Sequence, residues 1–449
     1  MDVDPAGTGF NAGVGERWYP RVLLIAPGAM SAHAGGGVTM NNLFRGWPAE
    51  QIAQIYNYGE RTRDDSVCQK FYKIPPLQRP LALLEGRPLF GAGFPSRVAR
   101  RLNAGRWLGI DRSFQEAIQF ARGFAPDVIY ARPMDKPTSS WWFAAGTSRL
   151  LGIPYVTHIM DDWPARFHDD AAAPAEHLPW KSRITLRAQS NRLNRLLGRL
   201  VDNAAANIAI SPEMAAAFGE RYGRPFVAFH NTVDAATWKA SRKAPLAGRP
   251  GHDRPFVVRY IGAVVKEKEL DSLKDIARAV TAMSQTGVKV RFDIHCGPAW
   301  NQIVDEELVR SPSVARGDFL SQSDLPMKLS RADLLVLPIN FDEVSTRYVG
   351  YSMQTKGPEY MASGTPILAY GPAANPNIRY ARDARWAFVI DQRDESGSRI
   401  AQVISRLIAA PEIGDEVASR AWDTLRANHD APLVREAFRK LLADAARRA

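Results

Sequence analysis

The sequence predicts an α/β protein built from two doubly wound parallel sheets that face each other across a cleft. Apolar runs of strand length alternate with helical patterns through most of the chain, and the alternation starts again after a basic stretch rich in Pro and Gly. The length of 449 residues suits two domains of ordinary size.

Residues 1–20 are rich in Gly and lack periodicity, and read as a flexible tail. The first strand is the run Val22-Leu23-Leu24-Ile25-Ala26, closed by Pro27-Gly28. Further strands are expected at 51–56, 127–131, 155–158, 207–210 and 226–229, with a helix at 114–124 between them. Residues 61–110 are basic and carry Pro75-Pro76, Pro80, Pro88 and Pro95; they read as an insertion that could bind a partner. These elements make 21–238 one Rossmann-like domain, and 239–254 a linker. Strands at 256–261, 288–295, 333–337, 366–369 and 386–390, with helices near 269–285, 323–331, 353–363 and 395–409, make 255–425 a second Rossmann-like domain. Residues 426–449 are expected to form a C-terminal helix that packs back on the first domain.

A content of 45% apolar, 10% aromatic and 23% charged residues is that of a globular protein and excludes disorder of the whole chain. Cys68 and Cys296 match no disulfide or metal spacing, which fits a reducing compartment and a cytoplasmic address. The longest apolar run, 334–339, is far too short to span a bilayer, and no signal pattern opens the chain. A net charge of +11 favours anionic partners: nucleotides, acidic glycans or an anionic membrane face. Nucleic acid is not expected, because no known module is present and the basic residues are not interleaved with stacking aromatics. Trp141-Trp142 belongs to the core or the cleft.

Three segments carry candidate chemistry. Gly35-Gly36-Gly37 opens a helix after the first strand; it is either a tight turn or, with Gly36 and Gly37 letting a ligand approach free backbone amides, an anion site. Lys356 and Glu359 share the first turn of a helix ended by Gly364 and Pro366, so they form either an intrahelical ion pair or a lysine for phosphate beside a carboxylate for a ribose diol. His158-Ile159-Met160-Asp161-Asp162-Trp163-Pro164 follows a strand; one of Asp161 and Asp162 is a candidate base, the other reading being a helix cap. His158 is either catalytic or a core histidine.

These segments, with 260–268, His230-Asn231-Thr232-Val233-Asp234 and Arg331-Ala332-Asp333-Leu334-Leu335-Val336-Leu337-Pro338, resemble the retaining glycosyltransferases of the GT-B fold, in particular glycosyltransferase family 4 of bacteria. The likeness runs from about residue 21 and is strongest over 256–370. It implies that Gly262 and Lys268 bind the nucleotide diphosphate, although Ala263 stands where an Arg is common. It implies that Glu359 meets the sugar-nucleotide ribose, that Ser352 and Lys356 assist at the donor, and that the aspartate segment lies near the acceptor. Tyr351 stands where many relatives carry a further glutamate. Retention of configuration is likewise implied. No cofactor is expected, because the donor is the substrate. The only D-x-D, Asp2-Val3-Asp4, falls in the tail, so a metal-independent reaction is expected.

Residues 181–201 carry Lys181, Arg183, Arg187, Arg192, Arg195 and Arg199 with no acid, over an apolar stripe. This helix either holds the enzyme at the inner face of an anionic membrane, near a lipid-linked acceptor, or packs its stripe on the core. The expected function is transfer of a hexose from a nucleotide sugar to a glycan or lipid-linked acceptor in polysaccharide or glycoconjugate biosynthesis. The alternatives are a nucleotide-sugar epimerase of the same architecture and a non-catalytic sugar-nucleotide-binding partner.

Overall fold

The structure, a computed structural model, describes residues 17–30, 35–57, 67–74, 112–134, 139–165, 178–244, 254–321 and 323–448. In the first half the elements are β1 (Val22–Ile25), α1 (Gly35–Phe44), β2 (Ile52–Tyr56), β3 (Lys70–Lys73), α2 (Arg112–Phe124), β4 (Val128–Ala131), α3 (Ser139–Leu151), β5 (Tyr155–Ile159), α4 (Trp180–Asp202), β6 (Ala206–Ala209), α5 (Pro212–Tyr222), β7 (Phe226–Ala228) and α6 (Ala235–Lys239). In the second they are β8 (Phe256–Ile261), α7 (Leu270–Gln285), β9 (Val290–His295), α8 (Asn301–Glu307), β10 (Val314–Gly317), α9 (Leu325–Ser330), β11 (Leu334–Pro338), α10 (Glu343–Tyr348), α11 (Gly357–Ala362), β12 (Ile367–Tyr370), α12 (Pro376–Asp383), β13 (Phe388–Ile390), α13 (Ser398–Ala409), α14 (Pro411–Asn428) and α15 (Ala431–Ala446).

The two sheets are parallel throughout, with orders β3-β2-β1-β4-β5-β6-β7 and β10-β9-β8-β11-β12-β13. Each reverses direction beside its first strand, between β1 and β4 and between β8 and β11. In such sheets crossover helices cover both faces, and the crevice beyond the carboxyl ends at the reversal receives ligands. The central strands are apolar along their whole length because both faces are covered: Val22, Leu24 and Val128 face one layer, Leu23, Ile25 and Ile129 the other.

Two strands depart from the sequence reading. Lys70–Lys73 lies within the expected insertion at 61–110, yet it pairs with β2 as the edge of the first sheet. Val314–Gly317 is the corresponding edge of the second sheet. The rest of the insertion, apart from residues 67–74 as a whole, lies outside the described residues, as do residues 1–16 of the tail. The end of that tail is anchored, since Trp47 Nε1 donates to the Pro20 carbonyl at 3.2 Å.

The chain passes between the halves before the 239–254 stretch is reached. Val233 and Ala235 already pack with Leu325, Leu329 and Leu335 of the second half, and Lys243 Nζ donates to the Ala332 carbonyl at 2.6 Å. A second passage follows α14. There Val233 N–H donates to the His429 carbonyl at 3.1 Å and Ala431 N–H to the Val233 carbonyl at 3.0 Å, so the two passages bind each other. Beyond it, α15 sets Phe438 and Leu442 into the core of the first half. The Phe438 ring lies 5.1 Å from Phe44 and 5.4 Å from Phe229, both edge-on.

Among the described residues no helix is long and apolar enough to cross a membrane. Phe438 is completely buried, so Phe438→Ala is expected to lower the stability of the first half by about 3–5 kcal/mol. Denaturant unfolding followed by the N-terminal tryptophans checks this; an unshifted transition would show that α15 does not contribute to that core.

Candidate active site

A cavity of about 570 Å³ lies between the carboxyl ends of the two sheets. The first half contributes Val38 and Thr39 from α1, Met160 and Asp161 after β5, Ile210 after β6, and Asn231. The second half contributes the loop after β8, the end of β9, the turn beyond β10, Val349, residues 352–356, and Glu359.

The loop after β8 is shaped by buried polar anchors. Glu269 accepts from the Val265 N–H at 3.2 Å. Asn340, just past β11, accepts at its side-chain oxygen from Ser272 N–H (3.1 Å), donates its amide to the Lys266 carbonyl (2.8 Å) and its backbone N–H to the Lys268 carbonyl (2.7 Å). Lys268 is thereby held at the cavity wall. Gly262 donates its own N–H to the His295 carbonyl at 3.0 Å, so that amide is already satisfied within the protein. Its role is steric: φ is +153°, and a Cβ there would sit 2.8 Å from Lys356 Nζ and 3.1 Å from the Tyr260 hydroxyl. Only glycine allows the lysine to lie so close to the chain.

Lys356 caps the short helix α11, and Glu359 stands in its first turn. The ammonium donates to the Tyr260 hydroxyl at 2.7 Å and lies 4.1 Å from the centre of that ring. Tyr260 in turn donates to the Ala263 carbonyl. The Glu359 carboxylate makes no hydrogen bond or ion pair among the described residues and lines the cavity. Burial raises its carboxyl from 4.5 to about 7, against the opposing pull of Lys356. Burial also lowers the Lys356 ammonium from 10.5 to about 8, with Glu269 and Glu359 countering this and Lys268 adding to it. Glu269 itself is pushed up by burial.

Across the cavity the two aspartates part company. Asp162 is buried against Arg221, at 3.1 Å, which removes it from the candidates. Asp161 is partly exposed, lines the cavity and accepts from Ser352 Oγ at 3.1 Å. Ser352 thus binds the opposite half and positions that carboxylate. His158 is a correction: it is completely buried, hydrogen-bonded through Nδ1 to the Tyr130 hydroxyl, and absent from the cavity wall. Burial, with the Arg132 charge adding, holds its ring neutral by lowering it to about 3. Its place near the end of β5 put it among the candidates, but its side chain points into the layer under the sheet. Trp163 of the same segment packs on Trp141, with centroids 4.9 Å apart. Gly36 and Gly37 form the first turn of α1, and Val38 and Thr39, next along it, reach the cavity.

Residues 351–355 join the halves beside the cavity. Ser211 Oγ donates to the Tyr351 carbonyl at 2.9 Å, and Asn231 Nδ2 donates to the Thr355 carbonyl at 2.7 Å. Met353 Sδ meets His230 Nδ1 at 2.9 Å, and Tyr351 and Met353 pack against the core of the first half. Glu269, Asn340 and Tyr260 were not singled out from sequence; the only available signal was a polar residue immediately beyond an apolar strand, as at Asn340.

This arrangement is that of the two-domain GT-B glycosyltransferase fold. HepE of Anabaena, solved in complex with UDP, matches with a TM-score of 0.60 and 16% identity over 94% of this chain and 99% of that one. Sucrose-phosphate synthase of Thermosynechococcus elongatus matches at 0.59 and 13%, covering 96% and 100%. The trehalose 6-phosphate synthase of Burkholderia multivorans matches at 0.59 and 12%, covering 96% and 98%. No family model matches the chain, and comparison with curated proteins returns no match.

The lysine geometry predicts a pH dependence. The ammonium is charged below about 8 and loses its proton above that value, so affinity for inorganic pyrophosphate should fall as pH rises through about 8. Lys356→Arg, which stays charged, should flatten that limb. Calorimetric titration checks both; an affinity equally steep in the arginine variant would remove Lys356 from the anion site.

Proposed function

We propose that the protein is a glycosyltransferase of hexosyltransferase type that moves a sugar from a nucleotide sugar to a glycan or lipid-linked acceptor, with retention and without a metal, in polysaccharide or glycoconjugate assembly. The observation that carries this reading is the set of Lys268, Lys356 and Glu359 on one wall of the cavity with Asp161 on the other. HepE has been solved with UDP and with UDP-glucose, which makes those the first donors to try.

On this reading the diphosphate lies against Lys268 and Lys356, and the ribose hydroxyls donate to the Glu359 carboxylate. The base lies along the apolar arm of Trp300, Phe319 and Leu320. When the bond from the anomeric carbon to the diphosphate breaks, the electron pair leaves with the phosphate oxygen. Fixed cations aimed at that developing charge need no reorganisation, which makes such electrostatic stabilisation the largest usual contribution to catalysis. Asp161, held by Ser352, accepts a hydrogen bond from the incoming acceptor hydroxyl, whose oxygen forms the new bond to the anomeric carbon as its proton passes to the carboxylate. In this scheme protein cations do the work that a metal bound to D-x-D does in other glycosyltransferases.

Incubation with UDP-sugars and candidate acceptors, followed by product analysis, tests the reading. Lys268→Ala and Glu359→Gln are each expected to lower turnover about 10²–10³-fold. A donor sugar epimerised without any acceptor would identify an epimerase, and UDP-sugar binding without turnover across the acceptors would identify a binding partner.

The exposed half of α4 supports contact with an anionic leaflet. Its C-terminal half buries Leu197, Leu200 and Val201, but Trp180 and Ile184 are 66% and 59% exposed beside exposed Lys181, Arg183 and Arg187. Each basic side chain contributes about 1 kcal/mol at an anionic surface. Changing all three to Gln should release the protein from phosphatidylserine vesicles in a sedimentation assay; unchanged sedimentation would confine α4 to a structural role.

A further inference from the structure

The carboxyl edge of the first sheet holds a cation for which the donor site has no use. Arg132 directly follows β4, beside the reversal between β1 and β4, and its N–H donates to the Ile25 carbonyl at 2.9 Å. The residue is only 8% exposed. Its Nε donates to Met160 Sδ at 3.2 Å, a weak acceptor. Neither terminal guanidinium nitrogen has a hydrogen bond or an ion pair among the described residues, and neither is counted among the unpartnered polar atoms sealed from solvent.

Among the described residues no acid pairs with the guanidinium. Asp161, next to Met160, accepts from Ser352, and Asp162 is paired with Arg221. Tyr130 and His158 lie within the field of the guanidinium, and burial keeps both neutral. A guanidinium that is mostly buried, has no acid partner among the described residues and keeps its terminal nitrogens open is suited to take up an anion. Its retention at a sheet reversal, where open α/β sheets take their ligands, points to an anion that completes it.

The surroundings fit such a ligand. The loop after β1 is fixed by Gln54, which accepts from Met30 N–H at 2.9 Å and donates to the Gly28 carbonyl at 3.0 Å. That loop leads to α1, whose Val38 and Thr39 share the cavity wall with Met160 and Asp161. A guanidinium fork matches two oxygens of a phosphate.

We propose that Arg132, which lies behind the cavity wall and touches it through Met160, anchors a phosphate-binding subsite at the acceptor-side margin of the cavity, so that the acceptor is a phosphorylated molecule whose phosphate lies at Arg132 and whose hydroxyl reaches Asp161. The acceptor role rests on the glycosyltransferase reading; the phosphate site does not. A soluble sugar phosphate and a lipid-linked sugar diphosphate share this chemistry.

The test is calorimetric titration of the full chain with UDP present in excess to fill the donor site. The probes are a hexose 6-phosphate, a short-chain polyprenyl diphosphate sugar in detergent micelles, and the neutral hexose. Phosphorylated probes should bind Arg132→Met about tenfold or more weakly than wild type, with Arg132→Lys intermediate. UDP affinity should stay within about twofold in both variants. The unliganded Arg132→Met protein should melt no lower than wild type, because an apolar chain replaces an unpaired charge. The probe that shows the Arg132 dependence names the source, soluble or lipid-linked. Equal binding of both phosphorylated probes by wild type and Arg132→Met, or no binding of either by wild type, would overturn the proposal. So would a lower melting point with unchanged probe binding, which would make Arg132 structural. If UDP fails to bind, the donor reading falls, while the same comparison without UDP still decides the phosphate site.

Discussion

The cleft depends on keeping the ammonium of Lys356 away from bulk water and still protonated. Burial weakens its hold on the proton, and the structure opposes that with the Tyr260 hydroxyl and ring face and with two acids, Glu269 and Glu359. The same dehydration makes the charge effective, since an ion in a medium of low dielectric acts more strongly on a neighbouring phosphate than one in water. Gly262 is part of this arrangement, because any side chain at that position would displace the ammonium. The Glu269–Val265 contact and the Asn340 bonds keep the loop of Gly262 and Lys268 in the shape that the lysine requires.

Lys356 and Glu359 are also tied to the opposite half. Residues 351–355 lead directly into α11, and they bind the first half through Ser211, Asn231 and Asp161. Two of these bonds run from a side chain to a carbonyl of the segment, so they constrain its backbone as well as its side chains. Lys356 and Glu359 therefore inherit their position relative to Asp161 from a continuous run of chain. The Ser352–Asp161 bond occupies one oxygen of the carboxylate and leaves the group oriented towards the cavity.

The central strands were legible because burial on both faces writes them as unbroken apolar runs, as in Leu334–Pro338 and Val22–Ile25. The edge strands were not. Lys70–Lys73 and Val314–Gly317 are half open to water, so they carry lysine, arginine and glycine and resemble loop. The candidate site divides along the same line. Lys356 and Glu359 were readable because one helical turn brings them together, whereas Lys268 came only from the likeness to known glycosyltransferases. The choice between Asp161 and Asp162 was not, since it depends on Arg221, some sixty residues further along the chain. Arg132 and Glu269 were hidden for a related reason: their importance lies in burial, and a charged residue looks alike in sequence whether it meets water or protein. His158 shows the reverse error, in which a titratable residue near a strand end was given chemistry that the core had already claimed.

The paired chain passages at Val233 and Asp430 constrain how the halves can move. Sliding one half past the other would break the bonds that Val233 makes to His429 and Ala431, whereas rotation about the line joining the two passages would leave them nearly intact. A turn about that line would carry α15 with the first half and α14 with the second. Any such turn would displace most the rim farthest from His429. The bonds of the seam at 351–355 lie on the cavity side of that line and would oppose such a turn.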